Sequence, residues 1–212
     1  MAHHRQWFLR SVGIDNDEVY RVRQVHGNRI FELQEPLKSV EKVAAIASDA
    51  IVTRLVNQPI AVLTADCVPV VIYDSRRHAA GVVHAGRKGT SQNILFETIA
   101  TLKKAYGSHP EDILVGMGPG IGGCCYEVDA PCIDPFKENY PDWAQFISKS
   151  PSGKYMLDLF AANTADAKRA GLLPQNIYKT GLCTYCEPNR FFSYRRDKTT
   201  GRMMTVAMLS PL

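Results

Sequence analysis

No run of apolar residues in this chain approaches the roughly 18 that a membrane helix requires. The opening residues, MAHHRQWFLRSVGIDNDEVY, hold no apolar core followed by a small-residue cleavage site, so no secretory leader is expected. Internal repeats and low-complexity tracts are missing, which excludes solenoids and disordered linkers. The glycine-rich run from Gly116 to Gly123 lacks the Lys-Ser or Lys-Thr ending of a nucleotide-binding P-loop. No zinc-finger or other nucleic-acid motif occurs, so nucleic acid is not an expected partner. With no membrane-length run and no secretory leader expected, the expected location is the cytoplasm, away from membranes.

What is present is an ordinary globular composition. The chain has 212 residues, 45% hydrophobic and 22% charged, enough for one domain over residues 1–212 with a buried core. The net charge is +4, and the basic residues are scattered except for Arg190, Arg195, Arg196, Lys198 and Arg202. That cluster is either a solvated surface or a site for a small anion such as phosphate. The six cysteines are Cys67, Cys124, Cys125, Cys132, Cys183 and Cys186. In a reducing compartment these serve as metal ligands, nucleophiles or small core residues rather than as disulfides.

Alternation and turn residues predict strands over residues 49–53, 60–64, 68–73, 79–85, 113–117, 177–182 and 203–209. Residues 20–25 alternate like a strand end, and residues 36–48 look like a polar connector with some helical potential. One helix is expected to start at a cap on Thr90 or Ser91, with Ile94, Leu95, Ile99 and Leu102 on its apolar face and Gly107 at its end. A second spans residues 158–170 and stops at Gly171. The fold class is α+β, a mixed β-sheet core with packed helices.

The turn after Tyr73 carries a geometric expectation. If the loop is symmetric about Arg76 and Arg77, Asp74 faces Ala79 and Pro69 faces His84. Cys67 then emerges on the same face as His84, as a diagonal neighbour roughly 7–8 Å away at Cα. A thiolate and an imidazole can converge on one atom between them. Pro69 makes a bulge an alternative outcome. His26, in Gln24-Val25-His26-Gly27, is a third candidate, although its position alone fits a surface or core histidine as well. One cysteine and two histidines form a borderline-soft donor set suited to zinc, and three ligands leave a fourth position open, as catalytic zinc sites do.

Several segments together resemble the laccase-domain, multicopper-polyphenol-oxidase-like family, whose bacterial members are described as purine nucleoside phosphorylases. They are Gln24-Val25-His26-Gly27, Thr64-Ala65-Asp66-Cys67, His84-Ala85-Gly86, Gly118-Pro119-Gly120-Ile121-Gly122, Cys124-Cys125-Tyr126-Glu127-Val128, Phe192-Ser193-Tyr194-Arg195-Arg196-Asp197 and Thr200-Gly201-Arg202. The resemblance implies a layered fold related to that of YfiH-like proteins and the cytotoxic necrotizing factor toxins. It also implies zinc ligands at His26, Cys67 and His84, and phosphorolysis of adenosine, inosine, guanosine and methylthioadenosine, with deamination of adenosine. The expected partners are therefore purine nucleosides and phosphate, and the expected state is a monomer or homodimer. Two departures stand out. The family's tryptophan and arginine after His-Ala-Gly are Arg87 and Lys88 here, which keeps charge and loses aromatic surface. An N-terminal family segment with a Gly-Gly-Val-Ser-like motif is expected to be absent.

Despite the family name, six histidines with only His3 and His4 close together are too few for several copper ions, so copper is not expected. Arg87, Lys88 and Arg195 are the candidates for holding phosphate, by charge. Backbone amides at Gly120 and Gly122 are a weaker candidate, against a tight structural turn. Asp66 could orient a ligand histidine or cap a turn. Cys183-Thr184-Tyr185-Cys186 is a lone C-x-x-C, expected to pack beside the site, with a redox pair or half a structural zinc site as alternatives. Cys124-Cys125 is expected in the core and pocket wall. The competing functions are a Cys–His hydrolase or deamidase, with Cys67 as nucleophile and His84 as base, and a peptidoglycan-editing cell-wall factor.

Overall fold

The computed structural model describes residues 2–15, 18–36 and 39–212. Its strands are β1 (Ile30–Leu33), β2 (Ala50–Thr53), β3 (Ile60–Thr64), β4 (Val68–Asp74), β5 (Ala79–Ala85), β6 (Ile113–Met117), β7 (Glu127–Val128), β8 (Ile147–Lys149), β9 (Tyr155–Leu157), β10 (Ile177–Lys179) and β11 (Met203–Ala207). The helices are α1 (Ala2–Ser11), α2 (Val40–Ala44), α3 (Arg87–Ser91), α4 (Ile94–Tyr106), α5 (Asp134–Asn139), α6 (Leu159–Arg169) and α7 (Tyr194–Asp197). A six-stranded sheet runs β1-β2-β5-β4-β6-β10. Its outer pairs β1/β2 and β6/β10 are parallel and its inner pairs antiparallel. This mixed sheet with packed helices is the expected class.

β4 and β5 form the centre of the sheet because their apolar runs can be covered on both faces. Every residue of β5 is buried. On one face, Ile94, Leu95, Ile99 and Leu102 of α4 join Val70, Ile72, Val83 and Val115 in a core that extends to Leu159 and Phe160 of α6. On the other, Tyr20, Val22, Val43, Ile60 and Val62 pack on Ile51 and Val82. Each such side chain contributes about 1.5–3 kcal/mol on burial. The antiparallel pair β3/β11 forms part of that second layer, and Leu9 and Ile14 cover it through Ala61, Met204 and Val206. The turn between β4 and β5 is held by Asp74, whose Oδ1 accepts the amides of Arg76 and Arg77, both at 2.9 Å. The register is the expected one: Asp74 pairs with Ala79 and Pro69 with His84, without a bulge.

Several expectations need correction. Neither Thr90 nor Ser91 caps a helix. The chain enters α3 immediately after Gly86 and breaks at Asn93, which takes a left-handed φ of 60° before α4 begins. Thr90 and Ser91 lie inside α3, where the Thr90 carbonyl accepts the Tyr140 hydroxyl at 2.6 Å. Residues 20–25 make isolated bridges from Tyr20 and Arg23 rather than a strand. β10 ends at Lys179, just ahead of Gly181 in its left-handed conformation. Part of the polar connector, residues 37 and 38, lies outside the described residues; beyond it Ser39 caps α2 by accepting the Lys42 amide at 3.4 Å. β1 and the small sheet β7-β9-β8 had no clear alternation to announce them. No helix among the described residues is long and apolar enough to cross a membrane.

Candidate metal centre

Three chain segments meet at the edge of the six-stranded sheet. β5 delivers His84 one residue before its end, and Cys67 immediately precedes β4. His26 arrives on the loop before β1 with a left-handed φ of 60°, a conformation unusual for a non-glycine residue. The ligating atoms of His26, Cys67 and His84 all lie within 4.8 Å of one another, so the group could hold a metal ion. The two imidazoles meet edge to face with ring centroids 4.7 Å apart.

The loop bearing His26 is held by two devices. Gln24 behaves like a strand residue through its side chain: its amide donates to the Leu63 carbonyl and accepts the Leu63 N–H, both at 2.8 Å. Asp49, fully buried, accepts the amides of His26 at 2.9 Å and Gly27 at 2.7 Å. The same carboxylate meets His84 Nδ1 at 2.8 Å. Asp49 thus fixes one candidate ligand, His84, by its ring and another, His26, by its backbone.

The electrostatics follow from this arrangement. Burial opposes ionisation of Asp49, but His84 and the amides of Gly27 and His26 hold its carboxyl below the usual carboxylate range. Burial pushes the Cys67 thiol up, yet hydrogen bonds and charge from His26 and His84 outweigh it and bring the thiol down to about 7. Burial likewise favours a neutral His84, but Asp49 and Cys67 raise it to about 9. Close packing demands glycine nearby. A Cβ on Gly86 would lie 2.8 Å from Cys67 Sγ, and one on Gly89 would lie 2.6 Å from the Gly27 carbonyl oxygen.

These groups open onto a cleft of about 870 Å³. Arg87, Lys88, Arg195, Lys198 and Arg202 all line it, so the structure gathers the three expected phosphate candidates with two further cations. Arg195 is partly committed: its Nη1 donates to the Glu127 carbonyl at 2.7 Å and its guanidinium lies 5.0 Å over the Tyr126 ring. Tyr126 and Tyr194 supply aromatic surface to the cleft where Arg87 replaces an aromatic residue of the family pattern. The other two basic residues of the C-terminal cluster are used elsewhere. Arg190 pairs with Glu187, and Arg196 binds Asp197 and the carbonyls of Thr184 and Phe191.

Two assignments change. The amides of Gly120 and Gly122 cannot cradle phosphate, because they donate to the Leu182 carbonyl at 3.3 Å and to Cys183 Sγ at 3.2 Å. Asp66 does not orient a ligand histidine. Its two oxygens accept the Thr184 hydroxyl at 2.7 Å and the Arg195 amide at 2.6 Å, anchoring the cleft wall. The histidine-orienting carboxylate is Asp49, which the sequence reading missed; an aspartate opening a buried strand was its only signal. Cys183 and Cys186 are not a lone pair either, since Cys124 and Cys125 join them.

Comparison with known proteins gives a consistent result. A family model described as multi-copper polyphenol oxidoreductase laccase matches residues 1–210. A protein named purine nucleoside phosphorylase from Xylella fastidiosa (strain 9a5c) is 38% identical over 188 residues, covering 89% of this chain and 71% of that one. A protein named adenosine deaminase RL5, from an unknown prokaryotic organism, is 35% identical over 92% of this chain and 76% of its own length. The crystal structure of a Bacillus licheniformis hypothetical protein, YfiH, superposes with a TM-score of 0.91 at 33% identity, over 99% of this chain and 80% of that one.

Proposed function

Because the chain belongs to the multi-copper polyphenol oxidoreductase laccase family, we propose that it is a zinc-dependent purine nucleoside phosphorylase that also deaminates adenosine. The substrates are adenosine, inosine, guanosine and methylthioadenosine, cleaved by phosphate to base and ribose 1-phosphate. The observation that carries this reading is the meeting of His26, Cys67 and His84 in a cleft lined by five cationic side chains. The names borne by the Xylella fastidiosa relative and by RL5 support the two activities.

The donor set fits zinc. Two imidazoles and a thiolate are borderline-soft ligands, and three of them leave one position for a water or substrate atom. When bound, zinc lowers the pKa of a water toward about 7 and so supplies the nucleophile that deamination needs. The chain's own residues do the rest. Asp49 engages His84 Nδ1, which leaves Nε2 as the ligating nitrogen. Arg87, Lys88 and Arg195 hold the phosphate dianion by charge-assisted hydrogen bonds while a phosphate oxygen attacks the anomeric carbon and the purine departs with the bonding pair. Tyr126 and Tyr194 offer flat surfaces to base or sugar. The setting is cytoplasmic, where the six free thiols persist reduced.

One observation favours a second reading. Cys67, His84 and Asp49 also form a nucleophile–base–orienter series, with the thiol brought down to about 7. A cysteine hydrolase would use them metal-free. Metal analysis of the purified protein, together with base release from inosine and adenosine with and without phosphate, tests both. The phosphorylase reading expects bound zinc and phosphate-dependent ribose 1-phosphate. Ribose as the sole sugar product, or full activity without metal, rejects it.

A further inference from the structure

Outside the cleft, a second group of metal-ligating side chains is assembled from two distant segments. Cys124 and Cys125 follow the glycine run after β6, and Cys183 and Cys186 lie on the loop after β10. Their four sulfurs all lie within 4.8 Å of one another, and none is in a disulfide. Cys186 Sγ is 3.3 Å from Cys125 Sγ and 3.8 Å from Cys124 Sγ. A zinc ion with bonds to sulfur of about 2.3 Å separates the corners of its tetrahedron by about 3.8 Å. The Cys124–Cys186 spacing equals that edge, the Cys125–Cys186 spacing is shorter by about half an ångström, and all four sulfurs are close enough to reach one ion. An iron–sulfur cluster, which interposes sulfides between its cysteines, spreads them further.

Backbone amides favour a thiolate at Cys183, whereas burial and the neighbouring sulfurs raise the Cys124 and Cys125 thiols, so all four sulfurs together call for a cation between them. Gly122 donates its amide to Cys183 Sγ at 3.2 Å, and the amides of Tyr185 and Cys186 also face that sulfur. Gly122 packs closely on the cluster, since a Cβ there would lie 3.2 Å from Cys124 Sγ, tight enough that the sulfur would have to shift, and 3.5 Å from Cys183 Sγ. The loop is preformed: Arg196 binds the carbonyls of Thr184 and Tyr185, and the Thr184 amide donates to the Gly120 carbonyl at 2.9 Å.

We infer that Cys124, Cys125, Cys183 and Cys186 form a second, structural metal site, a tetrathiolate that takes zinc. Four protein ligands close the coordination shell, which suits a structural ion rather than a reactive one, and four thiolates are a donor set of structural zinc sites. The site shares no ligand with His26, Cys67 and His84. It ties the segment leading into Tyr126 to the loop carrying Thr184, and so braces one wall of the cleft through the Thr184–Asp66 hydrogen bond.

The test uses the full chain, prepared under reductant, in three forms: wild type, Cys67→Ala, and the double variant Cys124→Ser/Cys186→Ser. Wild type is expected to hold about two zinc ions and each variant about one. Cobalt loaded into Cys67→Ala should give the intense thiolate charge-transfer bands of a four-sulfur site, absent when the serine pair is added. A mercurial should release the zinc of Cys67→Ala into a chromogenic chelator, a measurement that needs no variant of the four cysteines. A Cys67→Ala protein that binds no ion while its four thiols react freely, or while they are found as disulfides, overturns the proposal. An ion that survives Cys67→Ala but is lost with the serine pair, with no second ion in wild type, keeps this site and removes the zinc reading of the cleft.

Discussion

At the scale of single residues, the ligand set makes the first prediction. His26→Ala, Cys67→Ala and His84→Ala should each abolish zinc at the cleft and with it activity, read as zinc per chain by metal analysis. Asp49 touches no substrate, yet it holds His84 by the ring and His26 by the backbone. Asp49→Asn should weaken zinc binding by about 10–100-fold, the usual effect of losing a carboxylate behind a ligand histidine. Competition against a zinc buffer measures it, and wild-type affinity would remove Asp49 from this role. Lys88→Ala and Arg195→Ala should impair phosphorolysis more than deamination, because only phosphorolysis binds a dianion. Loss of one charge-assisted contact costs about 1.5–3 kcal/mol, roughly a ten- to hundredfold weaker phosphate interaction. Apparent phosphate affinity and both rates, at matched zinc content, decide. Equal losses would mean that Arg195 acts through its bond to the Glu127 carbonyl, as a support of the wall.

At the scale of elements, α3 must press its first turn against the loop that carries His26. Gly89 sits in this helix, where alanine is ordinarily better by about 1 kcal/mol. Here a Cβ would meet the Gly27 carbonyl oxygen at 2.6 Å, a backbone atom tied to Asp49 through its own residue's amide. Gly89→Ala should therefore destabilise, by about 1–3 kcal/mol as overpacked sites do, and should also loosen zinc. A variant more stable than wild type in chemical denaturation would show that the loop yields freely. α6 carries a different constraint. Burial raises Asp166 to about 7 despite Tyr140 and the Arg169 guanidinium 3.3 Å away. A carboxyl that resists ionisation in the folded chain but not in the unfolded one costs stability as pH rises from about 4 to 7. Asp166→Asn should lose less stability than wild type across that window, measured by denaturant midpoints. An unchanged pH dependence would mean the Arg169 pair already ionises Asp166.

At the scale of the whole molecule, the cleft metal would cross-link the loop before β1, the entry of β4 and the end of β5. An ion that binds only the folded chain stabilises it by about 2.7 kcal/mol at a hundredfold excess over its Kd. Chelation should therefore lower the melting temperature, and zinc should restore it. A melting temperature indifferent to chelator and to added zinc would argue that the three segments are held by Asp49 and Gln24 alone. The same layering explains why the cations gather: α3 begins directly after β5, and α7 is anchored by Asp66 beside Cys67, so Arg87, Lys88 and Arg195 face one space.

The sequence by itself determined what local pairing controls. The register of β4 against β5, and with it the placing of Pro69 opposite His84, follows from a four-residue turn and two apolar runs. The span of α6 follows from the Asp158 cap and Gly171. Only the tertiary structure decided the partners that lie far apart in the chain. Asp49 rather than Asp66 reaches His84 because β2 lies beside β5, a neighbour relation that no spacing encodes. The glycine run spends its amides on Leu182 and Cys183 because the loop after β10 closes over it. The same closure brings two cysteine pairs together from segments separated by about sixty residues, and each pair alone carried too little pattern to announce the other. Periodicity and turn chemistry act over a few residues, whereas the meeting of such segments depends on how layers pack, and side-chain volumes across the whole core set that packing.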